Sequence, residues 1–406
     1  MKNIFLAVAL FFAFSFAGDG PVSYYGKLQA SGNKIVGSKT GDTPVQVRGV
    51  SFGWTNTNWE SERFYNPRVY AVEHMAKDWK AEVVRGAYGA TSSAFTSSTA
   101  GDNRARVEAL VDDAIANDIY AIIDWHSHSA QNEVENSKAF FEYMSNKYGD
   151  KENVIFEIYN EPINPATWAD VKSYAEQIIP VIRKNSTNII LVGTPFYSQQ
   201  VEKVVGNAIN DDNVGYVVHF YAYTHKLDAF KGNMNKALDA GLPIFITEWS
   251  TVHSDGGQSD KSHYDTHDAA ETDKWFAFMD EKKISSAAWE VNDKYAGSCF
   301  FGIQGAAKQF DMQSWTDKSK MTASGQYVFD KLNAYYQNAP WKNGQTPIKP
   351  IAVENLAING DASLEIFSLQ GKKVGNLSNF SNLKAGVYVL FQNQGSKTKS
   401  VKIVKK

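Results

Sequence analysis

The sequence predicts an α/β protein, a (β/α)8 barrel of the TIM type followed by a small all-β C-terminal module. Three observations predict it. Short β-branched runs alternate with longer amphipathic stretches from Val45 to Trp289, which is the pattern of parallel βα units. The runs number eight, the count that closes a barrel. Near Asn338 the alternation ends in a proline-containing stretch, and short strand patterns follow. An open doubly wound sheet is the competing arrangement, but no Gly-x-Gly-x-x-Gly follows the first run.

In order, the runs are Val45–Val50 (VQVRGV), Val83–Gly86 (VVRG), Tyr120–Asp124 (YAIID) and Val154–Tyr159 (VIFEIY). Then come Ile189–Gly193 (IILVG), Tyr216–Phe220 (YVVHF), Ile244–Thr247 (IFIT) and Ser286–Trp289 (SAAW). Asn103–Asn117 and Trp168–Lys184 carry helical periodicity between them. The barrel domain is expected over residues 18–337. Residues 338–350 (NAPWKNGQTPIKP) hold three prolines without periodicity and read as a linker. Residues 351–406 read as a small, β-sandwich-like module, with strands at Leu364–Leu369, Val387–Phe391 and Ser400–Val404 and a turn at Gln370-Gly371. Its basic end (Lys397, Lys399, Lys402, Lys405, Lys406) reads as a solvated tail.

A net charge of −3 over 406 residues shows no basic excess, so nucleic acid is not an expected partner. The 10 Trp and 20 Tyr supply flat faces suited to sugars, or equally a large core. The single cysteine, Cys299, excludes an internal disulfide and reads as a buried, inert thiol. Met1-Lys2, the apolar run Ile4–Phe16 and the small-x-small Ser15-Phe16-Ala17 read as a signal peptide over residues 1–17. No later segment reaches the roughly 18 apolar residues a spanning helix needs. An exported protein, secreted or at the cell surface, is expected, and a monomer.

Chemistry in such a barrel sits at the C-terminal strand ends. Glu161 follows the fourth run in Ile155–Pro162 (IFEIYNEP), and Glu248 follows the seventh in Ile244–Trp249 (IFITEW). Two carboxylates facing one cleft are what glycoside hydrolysis needs. One lone strand-end Glu would more simply pair with a lysine. Two, each after an apolar run, point to a site. Arg85 ends the second run, where a guanidinium can keep a carboxylate ionised. His126 follows the third, His219 and Tyr221 end the sixth, and Trp289 ends the eighth.

Together these stretches resemble the cellulase family of glycoside hydrolases, family 5, in its bacterial endo-β-1,4-glucanase branch. The matching segments are VVRGAYG (Val83–Gly89), YAIIDWH (Tyr120–His126), NVIFEIYNEP (Asn153–Pro162), IIPVIR (Ile178–Arg183), VVHFYAYTHK (Val217–Lys226), PIFITEWS (Pro243–Ser250) and AAWEVNDK (Ala287–Lys294). The resemblance implies Glu161 as acid/base, Glu248 as nucleophile, and retention of anomeric configuration. It implies that Asn160 reads the sugar 2-hydroxyl and that Arg85 and Tyr221 hold Glu248. His126 and His219 would line the subsite of the sugar to be cleaved, Trp289 would be the platform beneath it, and Lys294 a further sugar contact. Arg85 is expected to favour ionised Glu248, and that charge to raise Glu161. No cofactor or metal is implied; the partner is a β-glucan polysaccharide. Trp54, Tyr65, Trp59 and Trp125 are candidate platforms, equally readable as core.

Tyr159, Ser250 and Ala296 depart from the branch's frequent residues, as does the lack of a His within Gly53–Tyr65. They bear on sugar affinity, so mannanase or xylanase activity is an alternative. A non-catalytic sugar-binding protein is another, opposed by the intact polar set. His126-Ser127-His128 could be the His-x-His pair of a metal hydrolase, but it follows the third strand where that class places it after the first. His253, His263 and His267 lie in a Gly/Ser/Asp-rich loop and read as solvated. The C-terminal module resembles the sorting domains of the type IX secretion system, through the QGKKV turn, the Leu383–Val389 run and the basic end, which implies the secretion machinery as a partner. A carbohydrate-binding module is the competing view.

Overall fold

The computed structural model describes residues 20–57, 61–90, 98–257, 261–264, 266–302 and 310–342, and four strands between 363 and 405. The expected signal peptide, Trp59, most of the expected linker and the Gln370-Gly371 turn lie outside the described residues.

A hairpin of β1 (Leu28–Ser31) and β2 (Lys34–Gly37) precedes the barrel. The barrel strands are β3 (Arg48–Phe52), β4 (Val83–Gly89), β5 (Tyr120–His126), β6 (Val154–Glu157), β7 (Ile190–Gly193), β8 (Val214–Tyr221), β9 (Ile244–Ser250) and β10 (Ser285–Val291). Each pairs in parallel with its neighbour and β10 returns to β3, closing the (β/α)8 barrel. All eight runs read from the sequence are barrel strands. The first begins at Arg48 rather than Val45. Five others run on past their expected ends, so that His126, Tyr221 and Glu248 lie within β5, β8 and β9 rather than on loops, while β6 ends at Glu157 rather than Tyr159.

Every residue of β4, β5, β8, β9 and β10 is buried. Parallel strands covered on both faces lose the alternating pattern and read as continuous apolar runs. The helix Trp168–Arg183 shows the outer layer's logic. Thr167 caps it in a capping box with Asp170, and Val171, Tyr174, Ala175, Ile178 and Ile182 line its buried face, spaced at helical intervals. Inside the barrel a separate apolar cluster joins Val83, Ile122, Ile155, Leu191, Val217 and Phe245 to Leu28 and Ile35 of the hairpin. The hairpin thus closes the floor, and the polar residues lie above it. Trp341, within the expected linker, is buried, and its indole N–H donates to Glu82, so the barrel's packing continues past Asn338.

Gly49 in β3 lies against β4, where a Cβ would fall 1.7 Å from the Val83 carbonyl oxygen. Gly49→Ala is therefore expected to destabilise the barrel by about 3 kcal/mol. The check is a lowered denaturant midpoint at unchanged slope.

The C-terminal strands β11 (Ser363–Ser368), β12 (Lys373–Asn376), β13 (Gly386–Gln394) and β14 (Lys397–Lys405) form one antiparallel sheet in the order β12-β11-β13-β14. Lys373–Asn376 was not read as a strand from the sequence. The basic stretch expected to be a solvated tail is β14, paired with β13 from Lys397 to Lys405. Among the described residues no second sheet completes a sandwich.

Candidate active site

The C-terminal ends of the barrel strands open into a cavity of about 610 Å³, with Glu161 and Glu248 among the residues that line it. Beneath lies a polar layer centred on Arg85, which is fully buried. Its Nε donates to Glu157 Oε2 (2.7 Å), its Nη2 to Asn160 Oδ1 (2.7 Å), and its Nη1 to Glu248 Oε2 (3.2 Å). Nη2 also lies 2.8 Å from Asp124 Oδ2. One guanidinium thus faces three buried carboxyls, and their charges hold it protonated against the cost of burial. Removing Arg85 would leave these carboxyls without their counter-charge, at a cost of about 3–5 kcal/mol.

The two glutamates have different neighbours. Glu248 Oε1 accepts from the Tyr221 hydroxyl at 2.6 Å and Oε2 from Arg85. Glu161 Oε1 lies 2.8 Å from His219 Nδ1, and Oε2 lies 3.2 Å from His128 Nε2. Glu161, His219 and Glu248 each bring one ligand-type atom within 4.8 Å of the others, and His219 sits opposite Glu248 in the β8–β9 register. Across this gap, one carboxyl bonded to imidazoles can exchange a proton while the other, bonded to a guanidinium and a phenol, meets an electron-poor carbon.

The electrostatics reverse the expected ordering. Burial raises Glu248 to about 7, more than Arg85 and the Tyr221 bond lower it. Burial also acts to raise Glu161, but His128 and His219 outweigh it and carry the group below the usual carboxylate range. Burial and the neighbouring charge of Glu161 raise Glu248 more than His219, Arg85 and Tyr221 lower it.

His219 is tied at its other end. Its Nε2 lies 2.9 Å from Thr247 Oγ1, whose hydroxyl donates to Glu157 Oε1 at 2.7 Å. With that proton committed to Glu157, Nε2 must be the donor. Nδ1 then either shares a proton with Glu161 or accepts one from it. His126 Nδ1 lies 2.6 Å from Asp124 Oδ2, and its ring stacks on Trp289 at 5.3 Å and 5°. Burial keeps His126 neutral. Asn160, with Oδ1 taken by Arg85, turns Nδ2 toward His126 Nε2 at 3.5 Å, which fixes its amide orientation.

Trp54, Trp289 and Lys294 line the cavity, Lys294 with Nζ 3.0 Å from Glu290 Oε1. Tyr65 is not brought there. It is buried, with its hydroxyl between Gly53 O (2.6 Å) and Ala87 N (3.2 Å). Trp125 is likewise core, stacked on Tyr88 at 5.3 Å. The His-x-His pair divides: His126 turns to Asp124 and His128 to Glu161. Tyr159 supports the latter, donating to His128 O at 3.2 Å.

The sequence reading missed Asp124, Glu157, Thr247, His128, Phe196 and Tyr197 as site residues. Asp124 and Glu157 had a signal, being carboxylates inside apolar strands. Phe196 and Tyr197 had little: they line the cavity, about 40% exposed, on left-handed backbone (φ 57° and 55°).

The model of the family described as Cellulase (glycosyl hydrolase family 5) matches residues 38–295. Endoglucanase Z of Dickeya dadantii is 37% identical over 346 residues, which cover 84% of this chain and 74% of that protein. A solved structure from Cytophaga hutchinsonii aligns with a TM-score of 0.71 at 36% identity, covering 80% of this chain and 99% of that one. The catalytic domain of Thermobifida fusca endoglucanase Cel5A aligns with a TM-score of 0.66 at 29% identity, covering 77% and 99%.

Proposed function

Because the chain belongs to the cellulase family, glycosyl hydrolase family 5, we propose that it is a secreted endo-β-1,4-glucanase that cleaves internal glucosidic bonds with retention of configuration. It is a glycoside hydrolase of the endoglucanase kind. The observation that carries the finer reading is the approach of Glu161 and Glu248, one oxygen of each within 4.8 Å. Retaining enzymes hold their carboxyls about 5–5.5 Å apart, whereas inverting ones leave about 6.5–9.5 Å for a water.

In this reading Glu248, anchored by Arg85 and Tyr221, attacks the anomeric carbon. Glu161 protonates the leaving oxygen, drawing on the proton it shares with His219 Nδ1. As that oxygen gains negative charge, the proton moves to the Glu161 side and on to it. Glu161 then takes a proton from the water that releases the sugar. Asn160, oriented by Arg85, is placed to read the 2-hydroxyl, with Trp289 as platform and Trp54 and Lys294 as further sugar contacts. The N-terminal signal peptide directs export, and the C-terminal module, by its likeness to type IX sorting domains, addresses the secretion machinery. The enzyme acts as a monomer.

The test is reducing-end release and viscosity loss on carboxymethyl-cellulose, beside mannan and xylan, with and without a chelator. Fast viscosity loss on the cellulose derivative, with turnover unchanged by chelator, is expected. Turnover of mannan or xylan alone would reassign the substrate, and silence on all three would overturn catalysis.

A further inference from the structure

The loop after β9 gathers a second cluster, at the wall of the cavity and apart from the two glutamates. Asp255 Oδ1 lies 3.1 Å from His253 Nδ1, and Oδ2 lies 2.7 Å from His263 Nδ1. One ligand-type atom from each of the three residues falls within 4.8 Å of the other two. The imidazoles stack, with centroids 4.0 Å apart and planes 22° from parallel. The three side chains are 21–31% exposed, half-buried where the sequence suggested solvation.

The hydrogen bonds make this arrangement unusual for two surface histidines. The Asp255 backbone N–H approaches His253 Nδ1 at 3.4 Å, too long a contact to hold that nitrogen's single lone pair against a metal ion. The same nitrogen faces a carboxylate oxygen at 3.1 Å. Either a proton or a cation between them satisfies both. Ligands around a tetrahedral zinc ion, at bonds of about 2.0–2.2 Å, stand about 3.3 Å apart. The His253–Asp255 spacing of 3.1 Å is close to that, and the His263–Asp255 spacing of 2.7 Å is shorter.

We infer that His253, Asp255 and His263 form a binding site for one divalent transition-metal ion of the zinc class, with water completing the coordination. Two imidazoles and one carboxylate suit zinc-like ions. Calcium would require about 6–8 oxygens.

The loop is built to hold these groups in place. The Thr266 hydroxyl accepts the His253 N–H (3.0 Å) and donates to His263 O (2.6 Å), tying both histidines to one atom. Gly257, at φ 73°, donates its N–H to Asp255 Oδ1 at 2.8 Å. A Cβ there would lie 2.9 Å from Gly297 N, so only glycine lets the loop close on that neighbour. Tyr264, next to His263, stacks on Tyr295 at 4.5 Å. Such supporting contacts orient metal ligands. Ser254, Asp255 and Gly256 line the cavity that holds Glu161 and Glu248. A bound ion therefore fixes one wall of the cleft without entering the chemistry.

The test is metal uptake by the full chain after chelator treatment and dialysis, read by zinc calorimetry and by cobalt visible absorption, neither of which needs a glucan. Expected is one equivalent bound, weakened about tenfold or more in His253→Gln and in His263→Gln, and unchanged in Glu161→Gln. Asp255→Asn replaces either variant should its metal-free circular dichroism differ from that of the parent. No uptake by the parent chain would overturn the inference. So would uptake lost in Glu161→Gln but kept in His263→Gln, which would place the ion between Glu161, His219 and Glu248.

Discussion

Glu248→Gly is expected to lower kcat on soluble β-glucan by about ten-thousand-fold, roughly 5.4 kcal/mol of barrier, because it removes the proposed nucleophile. The fold should survive. Arg85 loses one carboxyl but keeps Glu157 at 2.7 Å and Asp124 at 2.8 Å, so no buried charge is left uncompensated. The signature that separates a nucleophile from a structural carboxylate is rescue. Azide can occupy the vacated volume and attack the anomeric carbon of an activated cellobioside, giving an α-glycosyl azide, since only one displacement occurs. A variant with more than a tenth of parental activity, or rescue that yields the β-azide, would remove Glu248 from this role. The pH profile carries a second readout. Glu248 works ionised, and burial raises it to about 7. Because Glu161, the proton donor, is held below Glu248, the reactive form carries its proton on the group of lower pKa, so activity should fall as pH rises through that region and the acid limb should follow the lower value. The limb belongs to the coupled pair rather than to one residue.

The barrel was legible because each of its strands, buried on both faces, is written as an unbroken apolar run. Glu161 and Glu248 stood out for the complementary reason: a carboxylate interrupts such a run where the strand reaches the mouth of the barrel. The hairpin that closes the floor was not legible, because Leu28–Ser31 and Lys34–Gly37 are short and only half apolar. Tyr65 misled because an aromatic in a rim loop reads the same whether its ring faces sugar or packs on Phe52, as it does at 5.4 Å. The electrostatic ordering failed for a deeper reason. The strand pattern shows Arg85 near Glu248 but not how deeply Glu248 is buried, and His128 approaches Glu161 from a loop no strand pattern marks. Charge balance in a barrel interior depends on which groups meet across strands distant in sequence. The Arg85–Glu157 pair spans 72 residues and the Arg85–Glu248 pair 163.

Glu161→Gln should divide the reaction into its two halves. On a natural glucan, whose leaving oxygen needs a proton, the loss is expected to be about a thousandfold, within the range for general acid catalysis. On a dinitrophenyl cellobioside the leaving group departs unassisted, so the first step stays fast. The second step lacks its base, and the glycosyl-enzyme accumulates: a burst of phenol, then slow turnover with a lowered KM. Azide, which needs no base, should restore turnover and give the β-azide, the opposite stereochemistry to the Glu248→Gly rescue. Retained glucan activity, or no burst on the activated substrate, would assign the proton transfer elsewhere. With that ordering the acid limb of the parent profile follows the proton held by Glu161, and His128 and His219 hold that group low against burial. His128→Ala removes one of the two bonds, so the folded value of Glu161 rises and the acid limb should move to higher pH, while the alkaline limb, set by the higher value of Glu248, stays. A shift the other way would mean that His128 feeds the proton to Glu161 rather than stabilising its charge. The neutral glutamine amide in Glu161→Gln can still bond to His219, so the variant separates loss of the proton from loss of the contact.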